Sequence, residues 1–332
     1  MAFRRIGVIG AGAWGTALAL VAARAGREVV LWGRDAVRAA ETARSRESRR
    51  YLPGVPLPEA VRPTADARDL NQAEVALLVV PAQTVREVGA AFEPVLPPGC
   101  PAVICAKGIE YTTGSLMSEV LAEVLPGRPV AILSGPTFAK EVARGLPTAV
   151  TLACEDFALA ERLAGSLAAP TFRPYASGDV IGIEVAGALK NVIAIACGIV
   201  HGKGLGENAR ASLITRGLAE IGRLAVAKGG QAATLMGLGG VGDLTLTCST
   251  DQSRNYAFGM LIGQGMPVAE AMARPDVVVE GVHTARAVPD LAHRLGVDMP
   301  ISKAVAAVLH EGADLDGAIA GLLSRPLRAE GI

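Results

Sequence analysis

The sequence predicts an α/β protein in which an N-terminal doubly wound parallel sheet, residues 1–178, is followed by an all-helical domain, residues 179–332. Three observations predict it. Short β-branched runs alternate with helical patterns through the first half. Several of those runs are continuously apolar, as strands covered by helices on both faces must be. After the turn-rich stretch Arg173-Pro-Tyr-Ala-Ser-Gly178 the pattern changes to long Ala/Leu/Ile-rich helical segments joined by glycine-rich loops. A chain of 332 residues also exceeds what one hydrophobic core usually serves, so two domains are expected from length alone.

Taken in order, the predicted strands are Arg5–Ile9, Glu28–Trp32, Val75–Val80, Ala102–Ala106, Val130–Leu133 and Ala149–Ala153. The first helical run, Thr16–Ala25, is opened by Gly10-Ala-Gly12-Ala-Trp-Gly15, and Asp35 reads as the N-cap of the next helix. The arginine-rich piece Arg44–Arg50 reads as a solvated loop or helix end. Beyond Gly178 the predicted helices are 179–201, 208–228, 254–264, 280–295 and 300–311, with Met236-Gly-Leu-Gly-Gly-Val-Gly242 as the most glycine-dense connection. No repeat or heptad series organises the chain.

Composition excludes several classes. Hydrophobic residues make up 51% against 19% charged, which argues against disorder. Lys+Arg and Asp+Glu balance at 32 each, so no global field recruits nucleic acid or anionic lipid; the expected partner is small, and local groups must hold it. Five cysteines, without a Cys-x-x-Cys pair and mostly within apolar stretches, read as buried thiols of a reducing compartment, and no metal site is expected. Ile6–Ala23 imitates a signal peptide, but Gly7, Gly10, Gly12 and Gly15 punctuate it where a strand would turn into a helix. Val180–Val200 imitates a membrane span, but carries Glu184 and Lys190 near its middle. No integral membrane segment and a cytoplasmic location are therefore expected.

The glycine series carries the first chemistry. Gly10 permits a tight turn, Gly12 lets backbone approach a pyrophosphate, and Gly15 lets helix and sheet pack closely, while the helix N-terminus offers free N–H groups to phosphate. Dinucleotide binding is the expectation. At the end of the second strand, where an acidic residue would grip the ribose of NAD, stands Trp32-Gly33-Arg34. Glycine leaves room for a 2′-phosphate and arginine can pair with it, so NADP(H) is favoured over NAD(H); a plain surface arginine is the alternative.

Two polar segments, Lys107-Gly108 and Ser134-Gly-Pro-Thr-Phe-Ala-Lys140, follow predicted strands at the edge where open α/β sheets place ligands. In the helical half, Lys190 lies on an apolar helix among Ala186, Gly187 and Ala194. Such a lysine is either snorkelling at the helix surface or desolvated, its pKa lowered toward the range of proton transfer, especially with Lys107 nearby. Asp251-Gln-Ser253-Arg254-Asn255 at a helix start reads equally as a phosphate cradle or as an ordinary capped start. Of the histidines, His201 is the strongest acid–base candidate, but it lies about three turns from Lys190, and His283, His293 and His310 have no polar constellation beside them.

Together these segments resemble bacterial glycerol-3-phosphate dehydrogenases. The resemblance covers nearly the whole chain, including Gly10–Leu18, Lys107-Gly108, Ser134–Lys140, Lys190-Asn-Val-Ile-Ala194, Ile214-Thr-Arg-Gly-Leu-Ala-Glu220, Gly242-Asp-Leu244, Gln252-Ser-Arg-Asn255 and Val279-Glu-Gly281. It implies a Rossmann nucleotide domain followed by an all-α domain of the 6-phosphogluconate dehydrogenase type, and reversible reduction of dihydroxyacetone phosphate to sn-glycerol 3-phosphate for glycerophospholipid synthesis. Lys190 would transfer the proton, with Lys107, Gly135, Thr137, Asp243, Ser253, Arg254 and Asn255 around the substrate. Ala13, Trp14, Arg34, Lys107, Ala139, Arg254, Val278 and Glu280 would contact NADP or NAD, and a homodimer is a family expectation. Ala13 departs from the serine that many relatives carry. A β-hydroxyacid or sugar-acid dehydrogenase, and a catalytically silent dinucleotide sensor, are the rival readings.

Overall fold

The computed structural model describes residues 2–274 and 279–326. Its contacts separate two compact units, one formed by the described residues of Met1–Ala106 and Met117–Val180, the other by those of Lys107–Leu116 and Ile181–Ile332.

The first unit is an eight-stranded sheet: β1 (Arg5–Ile9), β2 (Glu28–Trp32), β3 (Val61–Thr64), β4 (Val75–Leu78), β5 (Ala102–Ile104), β6 (Val130–Ser134), β7 (Thr148–Cys154) and β8 (Phe172–Ser177). They lie in the order β3-β2-β1-β4-β5-β6-β7-β8. All pairings are parallel except β6 with β7, which is antiparallel. The helices between them are α1 (Ala13–Arg24), α2 (Ala36–Ser45), α3 (Val85–Phe92), α4 (Met117–Val124), α5 (Ala139–Ala143) and α6 (Phe157–Leu167). The continuous apolar runs are buried as expected: every residue of β4 and β5 is inaccessible. Strand order reverses between β1 and β4, so the crevice outside their carboxyl ends is the switch point at which such sheets bind ligands.

The expected strands Val75–Val80 and Ala102–Ala106 end two residues early, at Leu78 and Ile104. Two strands escape the sequence pattern altogether. Both β3 and β8 are edge strands, and both contain a proline, Pro63 and Pro174. An edge strand needs only one ladder and tolerates the missing N–H, so the stretch from Arg173 that reads as turn-rich is in fact paired with β7. The arginine-rich piece is only partly solvated: Arg46 closes α2 with φ 54°, and its guanidinium donates to the Leu57, Pro58 and Val61 carbonyls, tying the connection to β3.

The second unit is helical: α7 (Val180–Gly202), α8 (Glu207–Ala227), α9 (Asp243–Thr247), α10 (Arg254–Gly263), α11 (Val268–Met272), α12 (Glu280–Arg294), α13 (Pro300–His310) and α14 (Leu315–Leu323). Among the described residues α7 is the one helix long and apolar enough to cross a membrane, and 94% of its apolar window is buried, so its hydropathy serves a core. That core also takes in Ile109 and Leu116 from the short segment that precedes α4 in the chain. All five cysteines are buried free thiols.

Candidate functional site

In the sheet unit, the three glycines have separable jobs. Gly10 adopts φ +119°, and a Cβ there would run into the Val79 carbonyl oxygen at the end of β4. A Cβ on Gly15 would strike the Gly10 carbonyl, so α1 can sit this close to β1 only without one. Gly12 meets nothing within 4 Å of where its Cβ would stand. It is also the N-cap of α1, with no side-chain capping bond. Open space beside uncapped N–H groups fits a pyrophosphate, as the dinucleotide reading requires. Ala13 and Trp14 form the first turn of α1. Gly33 follows β2, where a Cβ would lie 2.9 Å from that of Ala11, so its smallness serves packing as well as access. Arg34 is exposed, and Asp35 caps α2 by accepting from the Arg38 N–H at 3.0 Å.

Gly135, Thr137 and Ala139 follow β6. Gly135 has φ +150° and would press a Cβ to within 2.9 Å of the Val150 Cα on β7. The Thr137 hydroxyl donates to the Gly135 carbonyl at 3.2 Å, and Ala139 begins α5.

The helical unit brings together residues far apart in the chain. The Asp243 carboxylate is 1% exposed; one oxygen accepts from the Lys190 amine at 2.5 Å, the other from the Lys107 amine at 2.5 Å. Thr247, one turn along α9, accepts a further bond from Lys190 at 2.7 Å. Asp243 reaches this place because the chain doubles back just before α9: Gly240 lies at φ −99°, ψ −107°, and a Cβ on it would collide with the Leu235 carbonyl. The glycine-dense connection thus aims the carboxylate.

Burial and charge set the protonation. Desolvation pushes the Lys190 amine down to about 8; Asp243 works to raise it and Lys107 to lower it. Burial works to raise Asp243, but the two ammoniums more than reverse this and hold its carboxyl below the usual range. The site therefore presents one ionised carboxylate between two amines, one of them poised to exchange a proton near neutrality.

α10 supplies the second part. It crosses α7 backbone to backbone: a Cβ at Gly198 or Gly202 would meet the Tyr256 or Met260 carbonyl, and one at Gly259 or Gly263 would meet the Ile195 or Ile199 carbonyl. At the start of α10, Ser253 accepts from the Tyr256 N–H at 3.3 Å and Arg254 is exposed. Asn255 is buried and committed: its amide donates to the Asn191 side-chain oxygen at 2.9 Å, and its own oxygen accepts from the Gly281 N–H at 3.0 Å. It ties α7, α10 and α12 together. Glu280 begins α12, and Val278 lies outside the described residues.

Sequence reasoning missed Thr247 and Asn191 as site residues. Thr247 carries a findable signal, its i+4 spacing from Asp243. His201 lies against the Tyr256 ring and His283 against Tyr111, His310 bonds the Val282 carbonyl, and His293 is exposed. No group of His, Cys, Asp and Glu able to hold a metal occurs among the described residues.

A family model described as the NAD-dependent glycerol-3-phosphate dehydrogenase N-terminus matches residues 5–160, and one for the C-terminus matches 179–320. The NAD(P)+ glycerol-3-phosphate dehydrogenase of Caulobacter vibrioides is 54% identical over 330 residues, covering 99% of this chain and all of that one (100%). The crystal structure of glycerol-3-phosphate dehydrogenase from Coxiella burnetii superposes with a TM-score of 0.92 at 40% identity, covering 97% and 99% of the two chains. That from Saccharomyces cerevisiae gives 0.83 at 26% identity, covering 96% and 99%.

Proposed function

The chain belongs to the NAD-dependent glycerol-3-phosphate dehydrogenase family, and on that premise we propose that Lys190 is its proton-transfer residue, Lys107 an auxiliary positive charge, and Asp243 the carboxylate that aligns both. The reaction is the reversible NAD(P)H-linked reduction of dihydroxyacetone phosphate to sn-glycerol 3-phosphate, which sets aside the hydroxyacid-dehydrogenase and sensor readings. The observation that carries the assignment of roles is the single buried carboxylate bonded at 2.5 Å to both amines.

NAD(P)H, when bound, would supply the hydride for reduction at C2. The Lys190 ammonium would donate a proton to the C2 oxygen as charge develops there, leaving a neutral amine that regains one from solvent. Lys107 contributes positive charge beside the developing alkoxide, in a cleft where little water competes. Arg254 and Ser253 hold the substrate phosphate, so binding energy remote from C2 positions the carbonyl. Gly135 and Thr137 are further substrate contacts.

The N-terminal portion, 1–178, takes the dinucleotide on Gly10, Gly12, Ala13, Trp14 and Gly15, with Ala139, Val278, Glu280, Lys107 and Arg254 as further contacts. Arg34 favours NADPH over NADH by pairing with the 2′-phosphate. The helical portion, 179–332, carries the acid–base chemistry. In the cell the enzyme is a cytoplasmic homodimer that supplies glycerophospholipid synthesis. The test of the central role is Lys190→Ala, assayed by NADPH absorbance with dihydroxyacetone phosphate. We expect kcat to fall by about 10²–10⁴-fold; near-normal turnover would refute the assignment.

A further inference from the structure

Lys107 lies outside any helix or strand, yet its amine must meet a buried carboxylate. What holds it is a closed turn. Ile109 and Leu116 pair across its base, and both side chains enter the helical core. Within the turn the Glu110 N–H donates to the Ser115 carbonyl at 3.0 Å, and the Gly114 N–H to the Glu110 carbonyl at 2.8 Å. The Thr113 hydroxyl donates to the buried Glu110 carboxylate at 2.6 Å. These contacts brace the turn internally.

Its tip is gripped by α12. The Tyr111 ring stacks on His283 with centroids 6.1 Å apart and planes at 26°, and the Arg286 guanidinium lies 5.5 Å from the same ring. About two to three turns further along α12, Arg294 donates to the Thr113 carbonyl at 3.2 Å. Gly114 has φ +73°, and a side chain there would take the place of that guanidinium.

We propose that Tyr111 and Arg294 are positioning residues for the known reaction: by clamping the turn Lys107–Leu116 to α12 they fix the Lys107 amine on Asp243. The inference rests on the role given to Lys107 above. Its physical basis is an imbalance between the two lysines. Two ammoniums on one carboxylate repel. The Lys190 side chain is 8% exposed and sits on the long helix α7, whereas that of Lys107 is 18% exposed and is carried by a turn, so Lys107 is the one to leave when its turn slackens. Its departure has a signature. The charged groups facing Lys190 are Asp243 on α9 and Lys107 on the turn; the Cys248 thiol just after α9 is titratable, but burial pushes it up and keeps it neutral. Losing the Lys107 charge lets Lys190 keep its proton to higher pH, and the alkaline limb of the reduction moves up.

The experiment compares Tyr111→Ala, Arg294→Ala, Lys107→Met and the triple variant, measuring kcat, KM and the pH dependence of dihydroxyacetone phosphate reduction. Lys107→Met is expected to lower kcat by about 10²-fold and move the limb upward. Each clamp variant is expected to lower kcat by about tenfold with a smaller effect on KM, to move the limb in the same direction, and to melt within about 2 °C of the parent. Tyr111→Phe, which keeps the stacked face, and Arg294→Lys, which keeps a cationic donor, should restore most of the loss. In the triple variant the clamp substitutions should add nothing to Lys107→Met. If Lys107→Met is active and unshifted, the role of Lys107 fails and the clamp with it. If Lys107→Met behaves as expected while both clamp variants keep the parent limb and kcat, or add their effects to it in full, the clamp alone is overturned.

Discussion

Replacing Asp243 by asparagine keeps the shape of the site and removes the one charge that reconciles its two amines. In the parent, both amines stand 2.5 Å from a carboxylate that is 1% exposed. A pair of unit charges about 4 Å apart is worth about 4 kcal/mol at an effective dielectric of about 20. At 1.36 kcal/mol per pH unit, losing that attraction moves the Lys190 limb down by about three pH units. Lys190 starts from about 8, where roughly three molecules in four carry the ammonium at pH 7.5. After the shift fewer than about one in a hundred do, so reduction at pH 7.5 falls by about 200-fold. The assay is the initial rate of NADPH oxidation with saturating dihydroxyacetone phosphate from pH 5.5 to 9.5 at constant ionic strength. The gap between variant and parent should narrow steadily toward pH 5.5, because acid restores the proton that the carboxylate no longer holds. A loss of rate with the limb unmoved, or moved upward, would refute the electrostatic argument.

Other consequences follow from the same geometry. Gly12→Ala should leave the melting temperature unchanged, since nothing lies within 4 Å of the new methyl, yet raise the KM for NADPH; Gly15→Ala should fail to fold stably, because its methyl meets the Gly10 carbonyl. Arg34→Ala should lower kcat/KM for NADPH by about 10–100-fold, as loss of a charge-assisted bond implies, and leave NADH nearly unaffected; equal loss with both would remove Arg34 from the 2′-phosphate. Glu220, buried on α8, accepts the Ile301 and Ser302 N–H groups and the Ser302 hydroxyl at the start of α13. Glu220→Ala orphans these donors at a cost of about 3 kcal/mol, a fall of about 6–12 °C in melting temperature that calorimetry would show.

The nucleotide end was legible because its physics is local: Gly10, Gly12 and Gly15 lie within one strand–turn–helix, and each spacing has a steric reason. Lys190 was legible as an anomaly, a charge on a helix that otherwise reads as core. Of its partners, Asp243 was reached only through the family resemblance and Thr247 not at all. Both sit on a five-residue helix behind a glycine-dense turn, where no periodicity announces which face is buried. Asn255 illustrates the converse: beside Ser253 and Arg254 it looks like a phosphate ligand, but only the fold reveals Asn191 and Gly281 as the groups that use its amide. The edge strands β3 and β8 escaped because proline, a breaker elsewhere, is tolerated on an edge.

The helical unit also answers why so much glycine stands around a lysine. Side-chain packing leaves helix axes 8–10 Å apart and lets them drift by repacking. Gly198 and Gly202 on α7 face Gly259 and Gly263 on α10, so each helix seats against the other's carbonyls and repacking cannot change the spacing. Lys190 lies on the first helix and Arg254 at the start of the second. The distance between the proposed proton donor and the proposed phosphate anchor is therefore set by backbone contact. For a small rigid substrate that distance decides whether the carbonyl oxygen falls on the amine, and an error of about 1 Å can cost about a hundredfold in rate. The glycines, which touch no substrate, thus hold the tolerance that the charged residues require.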